Sequence, residues 1–302
     1  MATTAGRPAV SAPPPSSGAV LRLLRPRQWV KNLLVAAAPG AAGVLSQRAE
    51  LLDTAIAFVA FCLAASGTYC LNDAADVDAD RSHPTKRNRP VASGAVAVPV
   101  AQALGAGLIV AGIAVGFATG SWELPAVTAG YVALTTSYTL WLKHVAVVDI
   151  AAVAAGFVIR TLAGAAATSV EVSDWFLIVA SFGSLFMVAG KRSAELDGEG
   201  GAVTRAVLSQ YPPQFLVYVR SLSSAVAVTA YCLWAFEEAD AVEAFPWFEL
   251  SIVPFVLAIL RYGLRLDQGE GGAPEEVVLG DRALQVLAVI WAITFGLGVY
   301  VT

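Results

Sequence analysis

LLDTAIAFVAFCLAASGTYCLNDAADVDAD, residues 51–80, joins two kinds of chemistry in one stretch. The first part, 51–72, is an apolar run. A helix of that length is about 33 Å long, enough to cross the hydrocarbon core of a bilayer. The run is continuous and does not alternate with period two, so it reads as a membrane helix and not as a barrel strand. It passes directly into Asn72-Asp73-Ala74-Ala75-Asp76-Val77-Asp78-Ala79-Asp80. At about 100° per residue, Asp76 lies roughly 60° and Asp80 roughly 20° from Asp73, while Asp78 points about 140° away. Asp73, Asp76 and Asp80 therefore form one stripe.

Three like charges on one helix face repel one another, and holding them at a membrane surface adds a desolvation cost. A divalent cation relieves both. Mg2+ favours a few carboxylates together with phosphate oxygens and water. The stripe, with Asn72 beside it, thus reads as a Mg2+-diphosphate site; a solvated acidic loop is the plain alternative. The adjoining basic segment favours the metal site. His83-Pro84-Thr85-Lys86-Arg87-Asn88-Arg89-Pro90 places Lys86, Arg87 and Arg89 next to the acids. Arg offers planar two-pronged phosphate recognition and Lys a point charge. His83 reads as a loop residue and His144 as a membrane-edge residue.

The rest of the chain repeats the apolar half of this pattern. Of 302 residues, 57% are hydrophobic and 14% charged, and the mean hydropathy is +0.67. Soluble domains carry about 25% charged residues, so a cytosolic enzyme, a disordered chain and a secreted disulfide scaffold are excluded. Nine apolar segments stand at about 30–47, 51–72, 98–119, 122–142, 145–167, 174–190, 213–236, 247–266 and 283–302. The expected fold is all-α, a polytopic bundle of about nine transmembrane helices. Residues 1–18, with Pro13-Pro14-Pro15, read as a disordered tail, and 19–302 as the membrane domain. Residues 19–29 mix apolar and basic side chains as an interfacial helix does. Gly112 and Gly116 form a GxxxG suited to close helix contact. Cys62, Cys70 and Cys232 lie in apolar runs without ligand spacing, so neither a disulfide nor zinc is expected.

The basic residues orient the bundle. With the N-terminus inside, sixteen of the nineteen Lys and Arg fall on the cytoplasmic side, Arg48 falls outside, and Arg160 and Arg220 lie within spans. An odd number of spans puts the C-terminus outside. The active site is expected to face the cytoplasm, in the plasma (inner) membrane.

A second polar cluster closes the sixth segment: Lys191-Arg192-Ser193-Ala194-Glu195. Lys191, Arg192 and Glu195 share a helical face, read either as a membrane-edge salt bridge or as phosphate and metal or sugar ligands. Arg27, Lys31, Tyr138, Lys143, Arg261, Tyr262, Asp281 and Arg282 reach the same membrane face. Arg160 lies deeper, where a charge marks function and faces the bundle interior.

Asn72-Asp73-x-x-Asp76-x-x-x-Asp80 after a second span, within nine spans, resembles the UbiA superfamily of intramembrane prenyltransferases. Where a quinone prenyltransferase carries a second Asp-rich motif, this chain has Lys191-Arg192-Ser-Ala-Glu195. With Arg25-Pro-Arg27-Gln-Trp29-Val-Lys31-Asn32, His83-Pro-Thr-Lys86-Arg87, Ile259-Leu-Arg261-Tyr262 and Asp281-Arg282-x-Leu-Gln285, the chain is similar to the decaprenyl-phosphate phosphoribosyltransferase branch over residues 20–302. The resemblance implies a Mg2+-dependent transfer of 5-phosphoribosyl from 5-phosphoribosyl diphosphate to a polyprenyl phosphate, for arabinan cell-wall precursors. It implies metal ligation by Asn72, Asp73, Asp76 and Asp80. Asp73, Asp76, Asp80, Lys191 and Glu195 are then the expected catalytic set. Arg27, Lys31, Asn72, Lys86, Arg87, Arg89, Tyr138, Lys143, Arg160, Arg192, Arg261, Tyr262, Asp281 and Arg282 are the expected substrate-binding set. Its partners are the two substrates and the membrane, with no nucleic acid; a homo-oligomer is compatible with the pattern. A prenyltransferase acting on an aromatic acceptor is the nearest rival. A transporter is the rival of another class, disfavoured because the charges gather at one membrane face.

Overall fold

The computed structural model describes residues 16–197, 206–240, 245–270 and 274–301. Most of the expected tail, together with Arg7 and Arg205 of the cation tally, lies outside the described residues. Every regular element among the described residues is helical: α1 (Ser17–Leu24), α2 (Ala37–Ala41), α3 (Arg48–Ala75), α4 (Val77–Ser82), α5 (Val98–Gly116), α6 (Glu123–Leu140), α7 (Val148–Thr168), α8 (Asp174–Asp197), α9 (Pro213–Asp240), α10 (Trp247–Asp267), α11 (Pro274–Gly280) and α12 (Arg282–Tyr300), with short 3-10 turns between them.

Among the described residues, seven helices are long and apolar enough to cross a membrane: α3, α5 with its 3-10 extension to Thr119, and α7, α8, α9, α10 and α12. Two of the nine expected spans take a different form. Segment 30–47 is no single α-helix but a 3-10 helix over Pro26–Ala36, then α2, then a 3-10 turn over Val44–Ser46. Pro39 removes a backbone donor from that stretch, and Gly43 bends it at φ +73°. Segment 122–142 is helical as α6, but its last turns, with Thr135, Thr136, Ser137, Tyr138 and Thr139, dilute the hydropathy. The interfacial helix is shorter than expected. Ser16 caps α1, and the chain leaves the helix at Arg25 (φ 53°), because the residue before Pro26 is forced out of the α region.

Between helices in lipid, packing rests on close van der Waals approach rather than on exclusion of water. The middle of the bundle is α3, whose Ala57, Ala60, Phe61, Ala64 and Ala65 form a buried face. Gly67 and Gly105 bring α3 and α5 into backbone contact: a Cβ on Gly67 would stand 2.7 Å from the Gly105 carbonyl oxygen. The two glycines of the GxxxG divide their work, Gly112 lying against Ala60 of α3 and Gly116 against Pro125 of α6. Successive long helices then pack in order around the bundle, α6 on α7, α7 on α8, α8 on α9, α9 on α10 and α10 on α12. The end of α12 returns to the start, where Tyr300 donates to the Gly40 carbonyl at 3.3 Å and Val299 touches Gly43. Outward-facing Val110, Leu260, Val289 and Ile293 are exposed, as lipid-facing residues are. Because the helices alternate in direction, the C-termini of α3, α6, α8 and α10 meet the N-termini of α5, α7, α9 and α12 at one end. The ion pairs collect there.

Candidate active site

The acidic motif does not stay on one straight helix. α3 ends at Ala75, Asp76 sits at φ −92°, ψ 11°, and α4 resumes at Val77. Asp73 and Asp80 remain on the buried side, 1% and 3% exposed, and share the guanidinium of Arg89 at 3.2 and 2.8 Å. Arg25, from the turn after α1, reaches the same Asp73 oxygen at 2.5 Å. The break turns Asp76 away, toward Lys143 at 2.8 Å. Asn72 accepts a hydrogen bond from Thr139 of α6 at 3.0 Å. Asp78 is exposed and pairs with Arg81. His83 caps the following loop through Nδ1, which accepts from the N–H of Thr85 and of Lys86. Partial burial and the Lys86 charge hold its pKa below the ordinary imidazole value.

The second cluster is a closed knot. Arg192 on α8 is 2% exposed and spends its donors on three partners: Asp149 Oδ2 at 3.0 Å, Glu195 at 2.7 Å and the Tyr138 hydroxyl at 3.2 Å. Lys191 stands 4.0 Å from Glu195. Asp149, fully buried at the start of α7, also accepts from the Tyr211 hydroxyl. Burial and the Asp149 carboxylate raise the pKa of that phenol, so it stays a donor. Tyr138 in the last turn of α6 and Lys143 in the 3-10 turn that follows face the knot and Asp76 respectively, so one short stretch of chain touches both clusters.

Other expected residues spread further. Arg261 and Arg265 of α10 both bind Asp281 Oδ2, at 2.8 and 3.1 Å, while Asp281 Oδ1 caps α12 at the Leu284 N–H. The Arg261 and Leu284 contacts lower the pKa of Asp281. Tyr262 is buried against Phe186, and Lys31 meets Glu275 at 3.3 Å. Arg160 is buried with no carboxylate partner among the described residues: it donates to Asn32 Oδ1 at 2.9 Å, the Gly156 carbonyl at 2.6 Å and the Tyr131 hydroxyl at 2.9 Å, and lies over the Tyr131 ring. That set staples the 3-10 segment to α7. Arg27 and Arg87 are exposed, with no ion pair among the described residues. Arg282 opens an outer groove along α12 with Gln285, Val286, Val289 and Ile290. Arg25, which stands in the basic motif before the first segment, and Asp149, which is expected at this membrane face, belong to the clusters though neither is in the expected catalytic or substrate-binding set; Tyr211 is not expected at all. Asp149 opening an apolar segment is a visible signal; nothing local marks Tyr211.

Residues 33–283 match the model of the UbiA prenyltransferase family. The chain belongs to this family. Among curated UbiA-type relatives, the decaprenyl-phosphate phosphoribosyltransferase of Corynebacterium glutamicum is 47% identical over 289 residues, covering 93% of this chain and 87% of that one. The protein of the same name from Mycobacterium tuberculosis is 45% identical over 301 residues, 96% of this chain and 97% of its own. In fold, a UbiA homologue from Archaeoglobus fulgidus bound to GPP and Mg2+ superposes with a TM-score of 0.70 at 17% identity, over 94% of this chain and 100% of that one. Digeranylgeranylglyceryl phosphate synthase follows at 0.64 and 15%, over 94% and 99%.

A UbiA fold raises the question of a divalent cation at the acidic motif. Among the described residues no three His, Cys, Asp or Glu gather closely enough to hold an ion. The expected stripe is instead divided by the break at Asp76 and held by Arg25, Arg89 and Lys143. The donors nevertheless suit Mg2+, being hard carboxylate oxygens. One of them, Asp73 Oδ2, is buried without a hydrogen-bond partner among the described residues, and a buried acceptor left unpaired is costly unless something binds it.

Proposed function

We propose that the protein transfers 5-phosphoribosyl from 5-phosphoribosyl diphosphate to a polyprenyl monophosphate, with release of pyrophosphate. The observation that carries this reading is the 45–47% identity, over nearly the whole of both chains, to two relatives named decaprenyl-phosphate phosphoribosyltransferase. The geometry supports it: both substrate ends are anionic, and the polar end of the bundle offers Arg25, Arg89, Lys143 and Lys191 within one layer.

Asp73, Asp76 and Asp80, with Asn72, would hold Mg2+, which when bound neutralises pyrophosphate charge as it departs. Arg89 and Lys143, which hold the carboxylates in this structure, are placed to turn to the donor's phosphates. Exposed Arg27 and Arg87 raise the local concentration of anionic substrates at the mouth. A lipid phosphate oxygen attacks C1 as the bond from C1 to pyrophosphate breaks, and the bonding pair leaves with pyrophosphate. The attacking oxygen is already anionic, so the reaction needs no strong general base from the chain. Attack from the opposite face inverts the anomeric centre.

The same reading extends to topology. The 3-10 segment Pro26–Ala36 rises about 22 Å and α2 about 7 Å, together close to the hydrocarbon thickness, and α6 rises about 27 Å. Both then cross, giving nine spans in the plasma membrane with the N-terminus and the polar end cytoplasmic and the C-terminus outside. The decisive test incubates purified protein with labelled 5-phosphoribosyl diphosphate and decaprenyl phosphate, or with a prenyl diphosphate and hydroxybenzoate, each with Mg2+ or EDTA. Labelled lipid in the first mixture, abolished by EDTA, is expected. Product in the second mixture alone would overturn the assignment.

A further inference from the structure

Val147 adopts φ +69°, ψ −46° immediately before α7. A β-branched side chain at positive φ crowds its own backbone, and such a conformation persists only where the surroundings impose it. Here the imposing group comes from far along the chain. The Val147 N–H donates to the Tyr211 hydroxyl oxygen at 2.5 Å, and that hydroxyl in turn donates a hydrogen bond to Asp149 Oδ1. The Tyr211 ring is 4% exposed and stacks on Phe215, centroids 5.7 Å apart at 10°. The other Asp149 oxygen is taken by Arg192 Nε. The hydroxyl is thus fixed from both sides, and its acceptor lobe is spent on one strained amide.

The strained residue sits where position matters. The chain between α6 and α7 reverses within Trp141–Val147, and the 3-10 turn Leu142–His144 throws Lys143 onto Asp76 at 2.8 Å. Lys143 is four residues before Val147, on the same short connection. A relaxed Val147 would leave α7 at another angle and withdraw Lys143 from the carboxylates.

We infer that Tyr211 is a positioning residue whose hydroxyl latches Val147 in its strained conformation and so holds Lys143 at the diphosphate end of the site. This rests on the phosphoribosyl-transfer reading above, in which Lys143 meets the donor's phosphates.

Tyr211→Phe keeps the ring and its stacking and removes only the latch. It is expected to raise the KM for 5-phosphoribosyl diphosphate about tenfold, the worth of one charge-assisted contact, with kcat within about twofold. The KM for decaprenyl phosphate should not move. Val147→Gly accepts positive φ without strain, so the double variant Tyr211→Phe/Val147→Gly should recover the donor KM to within about twofold of wild type. An unchanged KM in Tyr211→Phe overturns the inference. So does a double variant no better than Tyr211→Phe, since the hydroxyl would then act through Asp149 alone. Should Tyr211→Phe not fold, Val147→Gly carries the test by itself: a wild-type donor KM and an unreduced Tm are expected, and a raised KM with a lowered Tm overturns the latch. Wild-type protein inactive in the first mixture above would sink the transfer reading; active wild type with an indifferent Tyr211→Phe would sink only the latch.

Discussion

Two ionic clusters share the polar end of this bundle and are built on opposite plans. Around Asp73, Asp76 and Asp80, three carboxylates from one chain segment face three cations drawn from three others, and Arg25, Arg89 and Lys143 are each about a quarter exposed. One oxygen, Asp73 Oδ2, is left over. Around Arg192 a single guanidinium, 3% exposed, is spent on Asp149, Glu195 and Tyr138. Partly solvated cations can change partners cheaply, because water covers the intermediate state. A desolvated Arg cannot, because each broken contact leaves a buried charge uncompensated. The first cluster is therefore suited to exchange and the second to holding helices α6, α7 and α8 in register.

The sharpest way to break this contrast is Asp73→Asn. On the exchange plan it removes a transition-state contact and should lower kcat by about 10² to 10³, the usual worth of one such electrostatic group. The Tm should fall only slightly, because Arg25 and Arg89 remain partly solvated and Arg89 keeps Asp80. Steady-state kinetics beside thermal unfolding in detergent reads both. A variant with wild-type kcat would remove Asp73 from the reacting machinery.

This division is partly legible in the sequence. The apolar runs are long and continuous, so α5, α9, α10 and α12 fall within a few residues of their expected limits, while α8 runs seven residues past its expected end, to Asp197. The acidic motif stands out because Asp73, Asp76 and Asp80 repeat at helical spacing. The break at Asp76 does not, because it follows from tertiary partners: Arg89 draws Asp73 and Asp80 one way and Lys143 draws Asp76 another, and neither pull has a local signature. The 3-10 character of Pro26–Ala36 is equally hidden, since it is bound up with side-chain contacts from other helices, such as Arg160 to Asn32. Tyr211 lies outside any motif, and its role depends on the backbone of Val147, which no pattern of side chains announces.

Asp149→Asn tests the holding plan from the other side. It leaves Arg192 one carboxylate short in a buried site, and breaking such a pair costs about 3 kcal/mol. The expected result is a Tm several degrees lower, with the remaining folded enzyme close to wild-type kcat, the mirror image of Asp73→Asn. If Asp149→Asn unfolds normally but loses turnover, the knot belongs to the chemistry and the contrast fails.

The smallest effect should come from Asp281, a third ionic contact, which resembles the knot in geometry but is drawn together by Arg261 and Arg265 at the end of α10. Its pKa is lowered in the folded protein by Arg261 and by the Leu284 N–H. A depressed carboxylate pKa stabilises the folded state fully above the unfolded value of about 3.9, and the contribution disappears as pH falls through the folded value. Asp281→Asn keeps a cap for the Leu284 N–H but loses the charge. The Tm of wild type should therefore exceed that of Asp281→Asn by a constant margin from pH 7 to about pH 5, and the two should converge below about pH 4. A gap that closes near pH 6, or that survives unchanged to pH 3, would mean that the carboxylate does not stabilise the start of α12 through its charge.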